Sequence, residues 1–175
     1  AVSQVDQSQR ALGDNVRISP LGYGCWRLVN MPMTEARERI EHVLAHGMNL
    51  IDTADVYGLD WGGTAFGSAE ELLGEVLKDA PGLRDQMVLA SKGGIIPGVP
   101  YDSANLEQAC NDSLRRLGVE CLDLYQIHRP DMLTHPEETA RVLQGLMVAL
   151  LVMTRANRDS PSIPAILAQA RRLVG

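Results

Sequence analysis

Apolar positions along this chain switch repeatedly between a period of two and a period near 3.6, the marks of strand and helix. Val16 to Cys25 reads as a first strand that finishes in glycines. Thr34 opens a helical stretch, with Ala36, Ile40, Val43, Leu44 and Gly47 at helical spacing. Met48 to Asp52 is a short apolar run ending in an acid. Ser68 and Glu71 stand three apart ahead of Leu72, Leu73, Val76 and Leu77, which predicts a capping box at the head of a second helix. Met87 to Lys92 follows as a strand. Leu106, Ala109, Cys110, Ser113, Leu114 and Leu117 then mark a third helix, and Gly118 is placed to stop it. Cys121 to His128 makes a fourth strand. Pro136 falls in the first turn of a fourth helix that runs to the region of Gly145.

Alternating strands and helices imply parallel strands joined by crossover helices. An open doubly wound sheet and a closed (β/α)8 barrel both satisfy that order. Three successive strands end in an ionisable residue: Asp52, Lys92 and His128. A barrel gathers strand ends around one axis, so these side chains would meet at its C-terminal rim, whereas an open sheet would spread them. Gly22-Tyr23-Gly24 also lacks the third glycine of the dinucleotide-binding fingerprint of open sheets. Period two puts Val88, Ala90 and Lys92 on one face of their strand. It puts Leu122, Leu124, Gln126 and His128 on one face of the next. Apolar residues below and an ionisable residue on top is the arrangement a packed barrel with an active rim requires. The expected fold class is α/β, of (β/α)8 TIM-barrel type.

Composition narrows the function classes. With 175 residues, 45% apolar and 22% charged, the chain has material for one packed domain. Lysine and arginine number 16 against 22 acids, a formal charge of −6, which argues against nucleic acid or an anionic membrane as partner. No run approaches the ~20 apolar residues of a membrane span, and the first residues carry no apolar leader core. Cys25, Cys110 and Cys121 are odd in number and lack metal-ligand spacing, so the expectation is a reducing, cytoplasmic setting and no metal. Cys25 and Cys110 read as core residues, and Asp131 as a turn or cap former.

The segment Ile51-Asp52-Thr53-Ala54-Asp55-Val56-Tyr57-Gly58 changes the picture. Together with Ser91-Lys92, Ser113-Leu114-Arg115-Arg116-Leu117-Gly118, Asp123-Leu124-Tyr125 and Gln126-Ile127-His128-Arg129-Pro130-Asp131, it strongly resembles the aldo-keto reductase family. The resemblance runs over residues 16 to 146. It implies carbonyl reduction with NADPH, or with NADH, acting on a small carbonyl substrate. The family's catalytic tetrad falls on Asp52, Tyr57, Lys92 and His128. Reduction adds a hydride to carbon and a proton to oxygen. Tyr57 is the implied proton donor. An ordinary phenol is a poor acid at neutral pH, and a neighbouring ammonium stabilises its anion. Lys92 is the implied ammonium, held by Asp52, and His128 is implied to orient the carbonyl oxygen. By the same resemblance Trp26 is a candidate wall of the carbonyl pocket. Tyr23 and Trp61 are placed near the same rim as further substrate-binding candidates. Asp52 and Asn157 are candidates to meet the nicotinamide.

The chain reads as one partial barrel domain: a lead-in over 1–15, the family-like stretch over 16–146, and a divergent tail over 147–175. Four βα units are complete. A fifth is degraded: Val148 to Asn157 reads as a strand in which only Asn157 matches the family, and Ile166 to Leu173 as a short helix. A full barrel takes about 250 residues. Four or five open parallel strands leave edges and one face uncovered, so the expectation is self-association, a completing fragment, or a truncated product. The function expectation is therefore an oxidoreductase of aldo-keto reductase type. The alternative is an inactive fold fragment or interaction module without the coenzyme cradle. A different barrel enzyme, such as an isomerase using Lys92 and His128, is a third reading, against which the Asp52–Tyr57 pairing speaks.

Overall fold

The computed structural model describes residues 8–13, 16–59, 65–95 and 103–128. Its centre is a four-stranded parallel sheet. Gly22–Gly24 (β3), Leu50–Asp52 (β4), Val88–Gly93 (β5) and Leu124–Ile127 (β6) lie side by side in chain order. Met33–Ala45 (α1), Ser68–Asp79 (α2) and Ser103–Leu117 (α3) are the crossovers between them. Strand order that follows chain order means every crossover steps one strand further in the same direction. That is barrel winding; a doubly wound sheet reverses direction at one strand.

Each helix lays one apolar stripe on the outer face of the sheet. Ile40 and Val43 of α1, Leu73 and Val76 of α2, and Leu117 of α3 pack with Ile51 and Leu89 in one buried cluster. Helices α1 and α3 end alike. Met48 N–H donates to Val43 O and Gly47 N–H to Leu44 O, and the pair is repeated by Val119 to Leu114 and Gly118 to Arg115. This is the Schellman closure, with the glycine at positive φ in each case. Gly118 thus stops its helix as the sequence predicts. Gly47 belongs to the stop of α1 and not to its helical body.

Two local expectations are corrected. The first strand does not run from Val16 to Cys25. Val16–Ile18 (β2) pairs antiparallel with Arg10–Leu12 (β1), forming a separate hairpin. Only Gly22–Gly24 enters the parallel sheet, and Cys25–Arg27 is a 3-10 turn. Ser19-Pro20 makes the break, because proline offers no ladder N–H. Ser19 meanwhile bonds across to Asn49 through both its amide and its hydroxyl. The turn formers Gly13-Asp14-Asn15 between two short alternating runs were the available sign of the hairpin.

The capping box at Ser68 does not form either. The cap is Gly67 at φ +83, and Ser68 is the first helical residue, its hydroxyl buried without a partner among the described residues. Arg116 lies across Gly67 so closely that a Cβ there would come within 2.5 Å of its side chain. The first-turn donors use backbone acceptors instead: Glu71 N–H reaches Gly67 O, and Ala69 N–H reaches Tyr57 O at 3.1 Å. The expected fourth helix from Pro136, the strand over 148–157 and the helix over 166–173 lie outside the described residues. No helix among the described residues is long and apolar enough to cross a membrane.

Candidate active site

The C-terminal ends of the parallel strands carry the polar residues. Asp52 closes β4, Lys92 lies one residue before the end of β5, and His128 follows β6. The ladder continues past the strands into the loop that carries Tyr57. Thr53 N–H donates to Ala90 O at 2.9 Å and Asp55 N–H to Lys92 O at 3.0 Å, while His128 N–H donates to Gly93 O at 2.9 Å. The segment from Asp52 to Asp55 therefore grips Lys92 at both ends. Its backbone carbonyl is held by Asp55. Its ammonium donates to Asp52 Oδ2 at 2.7 Å and to the Thr53 carbonyl at 2.7 Å.

Those contacts fix the ammonium where two further rings converge. Lys92 Nζ stands 4.8 Å from the centre of the Tyr57 ring. The His128 ring meets Tyr57 edge-on, with centroids 5.7 Å apart and an interplanar angle of 80°. Trp26, carried by the turn after β3, stacks beside Tyr57 at 6.1 Å and 22°. Its side is open, with the residue 46% exposed. Asp52, Tyr57, Lys92 and His128 thus form one cluster, although Lys92 and Asp52 are 40 residues apart in the chain. Trp26 joins them.

Tyr23 does not. Alternation along β3 turns its side chain to the helix layer, in register with fully buried Ile51. There it lies beside Arg39 and lines a shallow groove with Glu35, Glu38 and His42 of α1. Burial, first of all, raises its phenol pKa. It is withdrawn as a substrate-binding candidate, because the residues of β3 that face the rim side are the two glycines. Trp61 and Asn157 lie outside the described residues. Among the described residues no group of three or more His, Cys, Asp or Glu could hold a metal ion. Cys25 is fully buried, and burial pushes its thiol up to about 12, as expected of a core cysteine.

A second polar cluster lies behind the same strands, toward the helices, and sequence reading missed it. Glu70, in the first turn of α2, is fully buried. It accepts from Ser91 Oγ at 2.6 Å and from Arg116 Nε of α3 at 2.7 Å. Asp55 is fully buried beside them. Among the described residues neither of its oxygens reaches a donor at full hydrogen-bond geometry, although the amides of Val56 and Gly94 lie near enough to favour the anion. Burial, and then the Glu70 carboxylate, push Asp55 up to about 7 against the pull of Arg116. Burial also pushes Cys110 up to about 12 and raises the Tyr125 phenol. The available signal was a charge within an apolar stripe: Glu70 shares its helix face with Leu73 and Leu77, and Arg116 shares one with Ser113 and Ala109.

These features agree with known proteins. The Aldo/keto reductase family model matches residues 20–149. A 6-dehydroglucose reductase of Novosphingobium aromaticivorans is 50% identical over 139 residues, 77% of this chain and 45% of that protein. A 6-dehydroglucose reductase of Agrobacterium fabrum is 36% identical over 153 residues, 79% of this chain and 49% of that protein. The holo structure of an aldo-keto reductase from Bacillus halodurans superposes with a TM-score of 0.65 at 32% identity, covering 82% of this chain and 47% of that one. The chain spans about half the length of the curated relatives it matches. Parallel strands wound in barrel order, the rim cluster and a family match over most of its length lead to one conclusion: this chain belongs to the aldo-keto reductase family and carries part of that family's TIM barrel.

Proposed function

We propose that this chain carries the proton-transfer half of an NAD(P)H-dependent reductase of aldehydes or ketones. The observation that carries the reading is the Lys92 ammonium, pinned by Asp52 and aimed at Tyr57, with His128 against the same ring. Asp52 balances the lysine charge and fixes its position. Lys92 stabilises negative charge on the Tyr57 oxygen as the phenol gives up its proton. His128 and Tyr57 together hold the carbonyl oxygen at the point where charge develops.

The donor set suits the nicotinamide end of the coenzyme, with a proton donor, a fixed cation and the open face of Trp26 in one place. When bound, the coenzyme supplies the hydride; this chain's side chains supply orientation and the proton. Asn157 remains a candidate for the carboxamide. Two matched relatives are 6-dehydroglucose reductases, which makes an oxidised sugar one carbonyl to assay.

The alternative is a non-catalytic fragment or interaction module, and the observation on its side is the tail after Gly145, in which only Asn157 matches the family pattern. Titrating the protein with NADPH and NADH by fluorescence, then adding small aldehydes and oxidised sugars, separates the two. Carbonyl-dependent consumption of reduced coenzyme supports the reductase. Folded protein that binds neither coenzyme leaves the fragment reading, and its mass by light scattering then shows whether it pairs with itself.

A further inference from the structure

Among the described residues the cluster behind the sheet holds two buried carboxylates and a single guanidinium. Glu70 takes the guanidinium of Arg116 on one oxygen and the hydroxyl of Ser91 on the other, so its charge is matched. Asp55 has no such partner among the described residues. The groups around it come from every neighbouring element. Glu70 is on α2, Arg116 is on α3, Tyr125 is on β6, and Lys92 is on β5, with its ammonium turned to the opposite side of the sheet, while Cys110 of α3 stands near Glu70 and Tyr125. Two acids sharing one buried cation cannot both ionise cheaply, so one of them holds a proton at a pH where carboxyls are ordinarily charged. Asp55, the unmatched one, is the group that does so.

Its place in the chain gives that proton a consequence. Asp55 is three residues after Asp52 and two before Tyr57, and its amide anchors the Lys92 carbonyl. The Tyr57 carbonyl is in turn held by Ala69, next to Glu70 at the head of α2. Ser91, bonded to Glu70, directly precedes Lys92. The seat of the Tyr57 loop is thus built on the acid cluster. We infer that Asp55 is a positioning residue: protonated, it seats the loop against α2 and β5 and holds Tyr57 over Lys92; ionised, it is repelled by Glu70 and unseats that loop. Its bearing on proton transfer rests on the reductase reading. The seating itself does not.

The test uses Trp26, which stacks on Tyr57. In a Trp61→Phe background Trp26 is the remaining indole of the chain. Its fluorescence is followed from acid to mildly alkaline pH, with far-UV circular dichroism showing that the protein stays folded. A native-state transition near neutrality is expected, and Asp55→Asn should remove it. Glu70→Gln should instead move its midpoint down by about one pH unit or more, because a like charge is gone. Glu70→Gln also serves should Asp55→Asn fail to fold. A merely structural Asp55 would shift unfolding without producing this folded-state transition. Where turnover is measurable, Asp55→Asn should flatten the near-neutral limb of the kcat profile and leave KM unchanged. No transition in the parent protein, or one that Asp55→Asn and Glu70→Gln both leave in place, overturns the proposal. A transition that behaves as expected in protein without any turnover supports the positioning role and sinks only the reductase reading.

Discussion

The two sides of the short parallel sheet solve opposite electrostatic problems with the same strands. On the rim side, Lys92 and Asp52 form a one-to-one pair at 2.7 Å, their side chains still 13% and 30% exposed. On the helix side, Arg116 and Glu70 pair at the same distance at 10% and 0% exposure, with Asp55 as a surplus acid. Period two decides which residue faces which way: Lys92 looks forward, and Ser91 before it looks back. The front pair keeps part of its surface open to solvent. The back pair is sealed, so removing its cation strands two buried acids. The difference shows that the rim cluster and the sealed cluster behind it are joined through adjacent residues of one strand, Lys92 and Ser91, so that each can be perturbed alone.

The largest expected effect is on the front. Tyr57→Phe should lower carbonyl turnover by about 10²–10⁴-fold while leaving coenzyme binding in place, measured by steady-state rates and fluorescence titration. Equal turnover in the variant would remove Tyr57 from the acid role. The largest effect on the back is Arg116→Ala, which leaves Glu70 and Asp55 buried without their cation and should cost about 3–5 kcal/mol of stability in urea unfolding.

The pH dependence of stability comes next. The Asp55 carboxyl is raised from 3.8 to about 7 by burial and Glu70. A raised acid holds its proton more tightly folded than unfolded, so its contribution is fully present below the unfolded value and is lost as pH rises through about 7. Between those values the parent should lose up to about 1.4 kcal/mol per pH unit relative to Asp55→Asn. Parallel stability curves for the two proteins would contradict this.

A smaller steric test is Gly74→Ala on α2. A Cβ there would come within 2.2 Å of the Arg116 carbonyl, backbone that cannot swing aside, and should cost about 1–3 kcal/mol. The smallest effect belongs to the exposed Arg39–Glu35 pair of α1, about half exposed at both ends. Glu35→Gln should change stability by about 0.5 kcal/mol or less.

Legibility in the sequence followed the range of the interactions. The crossover helices were readable because their apolar spacing is local, and the glycine stop after α3 sits one residue past its last apolar position. The rim cluster was readable only as an ordered set of motifs; Asp52, Lys92 or His128 alone would pass for a turn former or a solvated end. Ser68 misled because its hydroxyl and Glu71 have the right local spacing, yet Arg116, reaching in from α3, makes a glycine the cap. Tyr23 misled because nearness to the rim in sequence does not fix which face a side chain takes.

What the sequence determined by itself is the alternation of strand and helix and the placing of an acid, an ammonium and an imidazole at three successive strand ends. Both follow from periods of two and 3.6 that any short window displays. What only the tertiary structure decided is the direction of Tyr23, the backbone cap of α2 and the sealed Asp55–Glu70–Arg116 cluster. Glu70 and Arg116 are 46 residues apart. Whether a charge on an apolar stripe is matched or surplus depends on which partner the packing of α2 on α3 brings to it, and a local pattern carries no record of that.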